Sequence, residues 1–242
     1  MFNTIVLIIG LINLFISKNI IKKDLKKLLI VFGILMIFIF VYKNHDDFSY
    51  YHFPYAHLLS EFPNMVGLGN FNHGFRTQSS IFYLSSLFNL PFTNYFLLHL
   101  SPVFFMGFAN IIFYNKILES LGSKKSHFIL FLSLLSLIFI NIFFYRLAEH
   151  GTDRSAMILI MVTIVELIYL TNINKNINKN SFLRSLILII LIISLKSFYI
   201  LYCLLIIPVI FYFNKNKTPI SFFFKNIVTY LCLIFVFLLL LV

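Results

Sequence analysis

The chain has 242 residues, 60% of them hydrophobic and 11% charged, with a formal net charge of +11. A soluble domain is typically about 45–50% apolar and about 25% charged, so this composition excludes a water-soluble globular fold and makes the bilayer the solvent. The basic residues sit in short loops between apolar runs, where they orient a membrane protein and do not bind nucleic acid.

A spanning helix needs about 20 apolar residues, roughly 17–25, and lipid tolerates only helices or closed barrels because backbone polar groups must be satisfied within it. The apolar runs here are continuous and not alternating, which selects helices. The expected fold class is all-α, a polytopic helical bundle of about eight spans. Residues 2–17 form the first span. It has no basic start and no small-residue cleavage site, so it reads as a retained span and not as a signal peptide. The stretch 18–27 follows with five lysines and one aspartate. Together, residues 1–27 are an extra N-terminal span and basic inner loop. The second span is 28–42, followed by the longest polar stretch, 43–80.

Within that stretch Pro54 can open a helix at its first turn. Tyr55, Leu58, Leu59 and Phe62 then share one face, with His57, Ser60 and Glu61 on the other, which predicts an amphipathic helix lying on the membrane. A second surface helix is expected at 79–90, closed by Pro91. Between them Gly67, Gly69 and Gly74 predict a flexible turn region. Further spans follow at 93–114, 128–145 and 156–171, separated by loops 115–127 and 146–155. The Asn-rich loop 172–184 leads to an apolar stretch broken only by Lys196. Its two flanks are both basic, which predicts a tight hairpin, 185–195 out and 198–213 back, with Lys196 at the outer tip. The last span is 227–242. The chain ends within it at Val242, as the front part of a longer protein or a truncated reading frame would. Cys203 and Cys232 lie inside apolar runs and form no disulfide framework.

Under this topology only five of the 19 basic residues, Lys43, Arg76, Arg146, Arg154 and Lys196, fall on the outer side. The bias recurs at every loop and sets the orientation. The acids run the other way. Asp46, Asp47, Glu61, Glu149 and Asp153 are outside, joined by His45, His52, His57, His73 and His150. Candidate chemistry therefore belongs to the outer face.

Two clusters stand out there. The first is Asn44-His45-Asp46-Asp47-Phe48-Ser49-Tyr50-Tyr51-His52, at the point where a span leaves the membrane. Adjacent carboxylates raise each other's pKa or share a cation, and one can serve as general base. The second is Arg146-Leu147-Ala148-Glu149-His150-Gly151-Thr152-Asp153-Arg154, in which Arg146 and Arg154 could hold a phosphate bidentately. Its plainer reading is a solvated turn whose charges pair with one another. Lys196 in an apolar hairpin is functional by default, or else snorkels to the surface. No cofactor is required. A divalent metal on Asp46, Asp47 and His150 is the one metal option, and no spacing matches a zinc or calcium motif.

An acid pair just after a span, in a large outer loop with surface helices, resembles the GT-C superfamily of polytopic glycosyltransferases, such as protein mannosyltransferases and lipid A aminoarabinose transferases. The resemblance rests on Asp46-Asp47 with Tyr50-Tyr51-His52-Phe53-Pro54, on Gly69-Asn70 through Phe75-Arg76 to Ser79-Ser80, and on Glu149 to Arg154. Residues 28–242 would be the seven-span module of that superfamily, preceded by one extra span. The second acid is Asp where many members have Glu, and the later spans and soluble domain of many members are absent. The resemblance implies Asp46 and Asp47 as the catalytic carboxylates, one of them the general base, Arg76, Arg154, Lys196 and Arg146 as donor-phosphate ligands, and His45, Tyr50, His52, Glu149, His150 and Asp153 as acceptor-side or lining residues. It implies a polyprenyl-phosphate-sugar donor, contact with membrane lipid, and a site facing the periplasmic side of a bacterial inner membrane.

Two other classes compete. A polysaccharide polymerase or ligase would use the outer arginines and histidines without an acid pair. A lipid or solute transporter would place ionisable groups near the bilayer midplane, where only Glu166 and Lys196 qualify. A non-catalytic membrane subunit is the remaining reading.

Overall fold

The computed structural model describes residues 22–39, 46–62, 67–77, 79–98, 100–122, 127–144, 152–173 and 179–215, with Tyr230 and Ile234. The expected span 2–17, and all of 227–242 but those two residues, lie outside the described residues. Every regular element among the described residues is helical, and an isolated bridge between Leu90 and Asn94 does not extend into a strand. The longer helices are α1 (Lys22–Ile39), α2 (Phe53–Glu61), α3 (Ser80–Ser86), α4 (Leu100–Gly122), α5 (His127–Phe143), α6 (Thr152–Ile173), α7 (Lys179–Leu195) and α8 (Ile206–Lys215). A π-helix, Phe48–His52, precedes α2, and 3-10 turns stand at Leu68–Asn70, His73–Arg76 and Tyr95–Leu97. A 3-10 helix of nine residues, Ser197–Leu205, precedes α8.

Among the described residues two helical stretches, Tyr95–Gly122 and Asp153–Thr171, are long and apolar enough to cross a membrane, and His127–Phe143, Arg184–Leu195 and Ser197–Phe211 are shorter apolar helices. Helix α5 has the burial pattern expected of a helix in lipid. Its buried positions are Ile129, Ser133, Ser136 and Ile140, at i, i+4, i+7 and i+11. Phe131, Leu134, Leu135 and Ile138 point outward. Helices in water bury the large apolar stripe and expose the polar one. Hydrocarbon favours the reverse, with small residues letting helices approach.

Chain-contact clustering separates two compact units, 1–111 with 142–151, and 112–141 with 152–242. In the first, the described residues between 46 and 98 form a packed layer of short helices. Ser79 accepts a bond from the Ile81 amide at 3.4 Å and starts α3, a serine N-cap at work. The helix stops at Ser86, short of the expected residue 90. There the Ser86 hydroxyl turns back onto the Tyr83 carbonyl at 2.8 Å, and Ser85 and Ser101 share a buried hydrogen bond of 3.1 Å. In the second unit, Leu167, Leu186, Ile190 and Val209 form one buried cluster against which Leu205 and Ile206 pack. Val209 lies as far beyond Lys196 as Leu186 lies before it, to within a few residues, so the chain does fold back at Lys196.

Several loop boundaries need correction: α1, α6 and α7 begin at Lys22, Thr152 and Lys179, inside the expected loops 18–27, 146–155 and 172–184, and α4 overruns a fourth. Lys116 was expected in the inner loop 115–127, yet α4 continues through it to Gly122 and buries it. The Glu166 carboxylate at 3.4 Å and Glu119 at 3.7 Å balance its charge, so the helix has no need to end there.

Candidate functional site

Asp46 and Asp47 are helical and lead directly into the π-helix Phe48–His52. Asp47 lies at its N-cap, in the right-handed helical region. The Ser49 hydroxyl donates to the Asp46 carbonyl at 3.3 Å and ties down this first turn. A π-helix is rare, occurs mostly as a single turn, and is frequent at functional sites. The wider winding is supported from the glycine-rich segment. Asn72 donates its side-chain amide to the Tyr50 carbonyl at 3.0 Å and accepts the Gly74 amide at 2.9 Å. Gly74 is buried so tightly that a Cβ there would overlap the Tyr51 ring. The expectation of a flexible glycine turn is therefore overturned: two 3-10 turns are held by side-chain bonds. Only Gly67, at φ 90°, uses glycine's left-handed freedom.

The winding sorts the histidine cluster. Tyr50 is exposed, whereas His52 is buried, 4.3 Å from the Tyr51 ring and 5.6 Å from the Phe82 ring. His52, expected to line an acceptor site, is thus packed inside the layer. His57, expected on the polar face of α2, stacks on Phe53 one turn earlier at 5.8 Å and keeps its Nδ1 buried without a hydrogen-bond partner. Tyr55 lies between Phe75 and Phe82 at 5.2 and 5.1 Å. Burial, and then the neighbouring Tyr83 hydroxyl, push its phenol well above the usual tyrosine range, so it stays protonated. Arg76 is exposed, with its Nε donating to the Gly69 carbonyl at 2.9 Å.

The second unit holds the other candidates. Arg146, Glu149 and His150 lie outside the described residues, as does His45 in the first unit. Asp153 and Arg154 occupy the first turn of α6. Lys196 closes on Asp153 through both carboxylate oxygens, at 2.6 Å to Oδ1 and 2.7 Å to Oδ2, and the Tyr199 hydroxyl donates to Oδ1 at 3.2 Å. The Asp153 side chain remains 49% exposed and that of Lys196 28%. Lys196 is thus neither a bare cation nor one snorkelling alone. It joins two elements: its amide donates to Ile192 as the last bond of α7, and its carbonyl accepts from Tyr199 as the first bond of the 3-10 helix.

The same helix carries a second, buried charge cluster that the residue spacing did not reveal. Glu166 is reached by Lys116 at 3.4 Å and by Arg184 at 4.0 Å. The Lys116 ammonium also sits 3.2 Å over the Tyr169 ring, a cation–π contact. The side chains of Lys116 and Glu166 are only 10% and 8% exposed. Two i, i+3 pairs, Lys116 with Glu119 and Glu166 with Tyr169, were the available signal.

No group of three or more His, Cys, Asp or Glu side chains among the described residues could hold a metal ion; His150, part of the metal option, is not among them. The whole chain, residues 1–242, matches the model of a family described as a domain of unknown function, DUF8201. Comparison with curated proteins and with solved structures returns no match.

Proposed function

The chain belongs over its full length to the DUF8201 family, a domain of unknown function, so its chemistry has to be argued from its own residues, and we propose that it is an integral membrane glycosyltransferase. It moves a sugar from a polyprenyl-phosphate donor to an envelope glycan, lipid or protein acceptor, on the outer face of a bacterial inner membrane, within a bundle of about eight spans. Asp46 or Asp47 takes the proton of an acceptor hydroxyl. The hydroxyl oxygen bonds to the anomeric carbon, the bond from that carbon to the phosphate oxygen breaks, and its electron pair leaves with the lipid phosphate. Arg76 is the candidate to stabilise the departing charge, since fixed cations act where charge develops. Arg154 and Lys196, assigned by the charge bias to the same side of the membrane, are the candidates for the donor's phosphate.

The observation that carries this reading is the π-helix immediately after the acid pair, braced by Asn72 and Gly74. A connector has no use for a rare winding and a close-packed brace, whereas a general base needs a fixed position. The test is sugar transfer in membranes carrying Asp46→Asn or Asp47→Asn. General-base assistance is typically worth about 10²–10⁴-fold, and a loss of that size with unchanged insertion is expected for at least one variant. Full activity in both removes the mechanism. A transporter would need a buried acid free to exchange protons or ions. Glu166 is the described candidate, and its place between Lys116 and Arg184 favours anchoring instead.

A further inference from the structure

Two features set the clasp at Lys196 apart from a plain surface ion pair, and one it shares with such a pair. One carboxylate takes the lysine through both of its oxygens and a tyrosine hydroxyl through one of them. Like a surface pair it stays open to exchange, because neither charged side chain is buried and Tyr199 is half-buried. The lysine also marks the start of a nine-residue 3-10 helix, where runs beyond three or four residues are uncommon because the geometry is poor. The first turn of that helix contains both clasp donors, since its first hydrogen bond joins Lys196 to Tyr199.

A carboxylate that accepts a lysine ammonium and a phenol presents the same face as two oxygens of a phosphate ester. We propose that Asp153 is a built-in stand-in for a lipid-linked phosphate: it occupies Lys196 and Tyr199 while the site is empty, and the phosphate displaces it. Binding is then an exchange of one anion for another on the same two donors. The exchange removes the tie between α6 and the 3-10 helix, and segment 197–205 is released as the ligand enters. Asp153 is therefore a competitor of the ligand and Tyr199 one of its hydrogen-bond donors. The inference rests on the glycosyltransferase reading for the source of the phosphate.

The experiment uses the full chain in lipid nanodiscs, with a polyprenyl monophosphate as probe and inorganic phosphate as the parallel arm. Binding is followed by native mass spectrometry. Asp153→Asn removes the competitor and is expected to tighten polyprenyl-phosphate binding roughly two- to fivefold, the ratio that an exposed ion pair corresponds to. Lys196→Met should abolish it, and Tyr199→Phe should weaken it about two- to fivefold. The unsubstituted protein supplies a second measurement. Adding the lipid should speed hydrogen exchange of the amides in 197–205.

If the unsubstituted protein binds the lipid but Asp153→Asn binds it no better, and exchange in 197–205 does not change, the stand-in is overturned while the glycosyltransferase reading survives. Tightening seen only with inorganic phosphate overturns the lipid as its source. If neither form binds the lipid although Asp46→Asn still abolishes transfer, the inference falls alone. If no form binds it and none transfers sugar, both readings fall together.

Discussion

Helix α6 carries one acid in its first turn and another well inside it, and each is matched by a lysine from another element, yet the two pairs do different work. Glu166 lies between Lys116 and Arg184 in surroundings that leave its side chain 8% exposed. Asp153 holds Lys196 with its own side chain 49% exposed. A buried pair attracts strongly but has lost its water, so removing one partner strands the other in a medium that cannot solvate it. A half-exposed pair gains little because water competes for both charges. The buried network is therefore suited to fixing helix positions, and the half-exposed clasp to being opened. Similar pairing chemistry gives an anchor or a latch according to solvent access.

The strongest way to break this contrast is at the buried end. Glu166→Gln or Lys116→Met alone should destabilise the bundle by about 3–5 kcal/mol, read as the loss of denaturation midpoint in detergent or bicelles. The double substitution should recover most of it. A single-substitution effect below about 1 kcal/mol would show that this network is not desolvated. The clasp should respond far less. Asp153→Asn or Lys196→Met should shift stability by about 1 kcal/mol or less, and raising salt to about 1 M should mask even that, since the Debye length falls to about 3 Å. Salt should leave the Glu166 variants almost as destabilised as before. The smallest effect is expected from Tyr199→Phe, about 0.5 kcal/mol, detectable as faster hydrogen exchange confined to the first turn of 197–205. Faster exchange throughout α7 would instead make Tyr199 a structural support and blur the contrast.

Much of the architecture was legible in the residues. The all-helical class, the break at Lys196 and the opening of a helix near Pro54 follow from hydropathy and from proline's fixed backbone, both local properties. The surface-helix faces were harder to read. His52 and His57 look solvent-facing by polarity, but each imidazole has an aromatic neighbour, Phe82 or Phe53, within stacking distance, and a ring can be buried on those terms. The glycines of the outer loop read as flexibility, whereas Gly74 is there because the Tyr51 ring leaves no room for a side chain. Lys116 read as a loop residue because the acid that meets it inside the bundle, Glu166, is remote in the chain, whereas Glu119 three residues on is half-exposed.

What the sequence alone determined is the helical class, and with it came an expected solvent and an expected side of the membrane for each charge. All three depend on composition and on short-range periodicity, which any stretch carries by itself. Partner choice was decided only by the tertiary structure. That Asp153 meets Lys196 across 43 positions, and that Glu166 meets Lys116 and Arg184, depends on which helix faces pack together. Whether each pair is buried or open, and so whether it anchors or can exchange, depends on that packing as well.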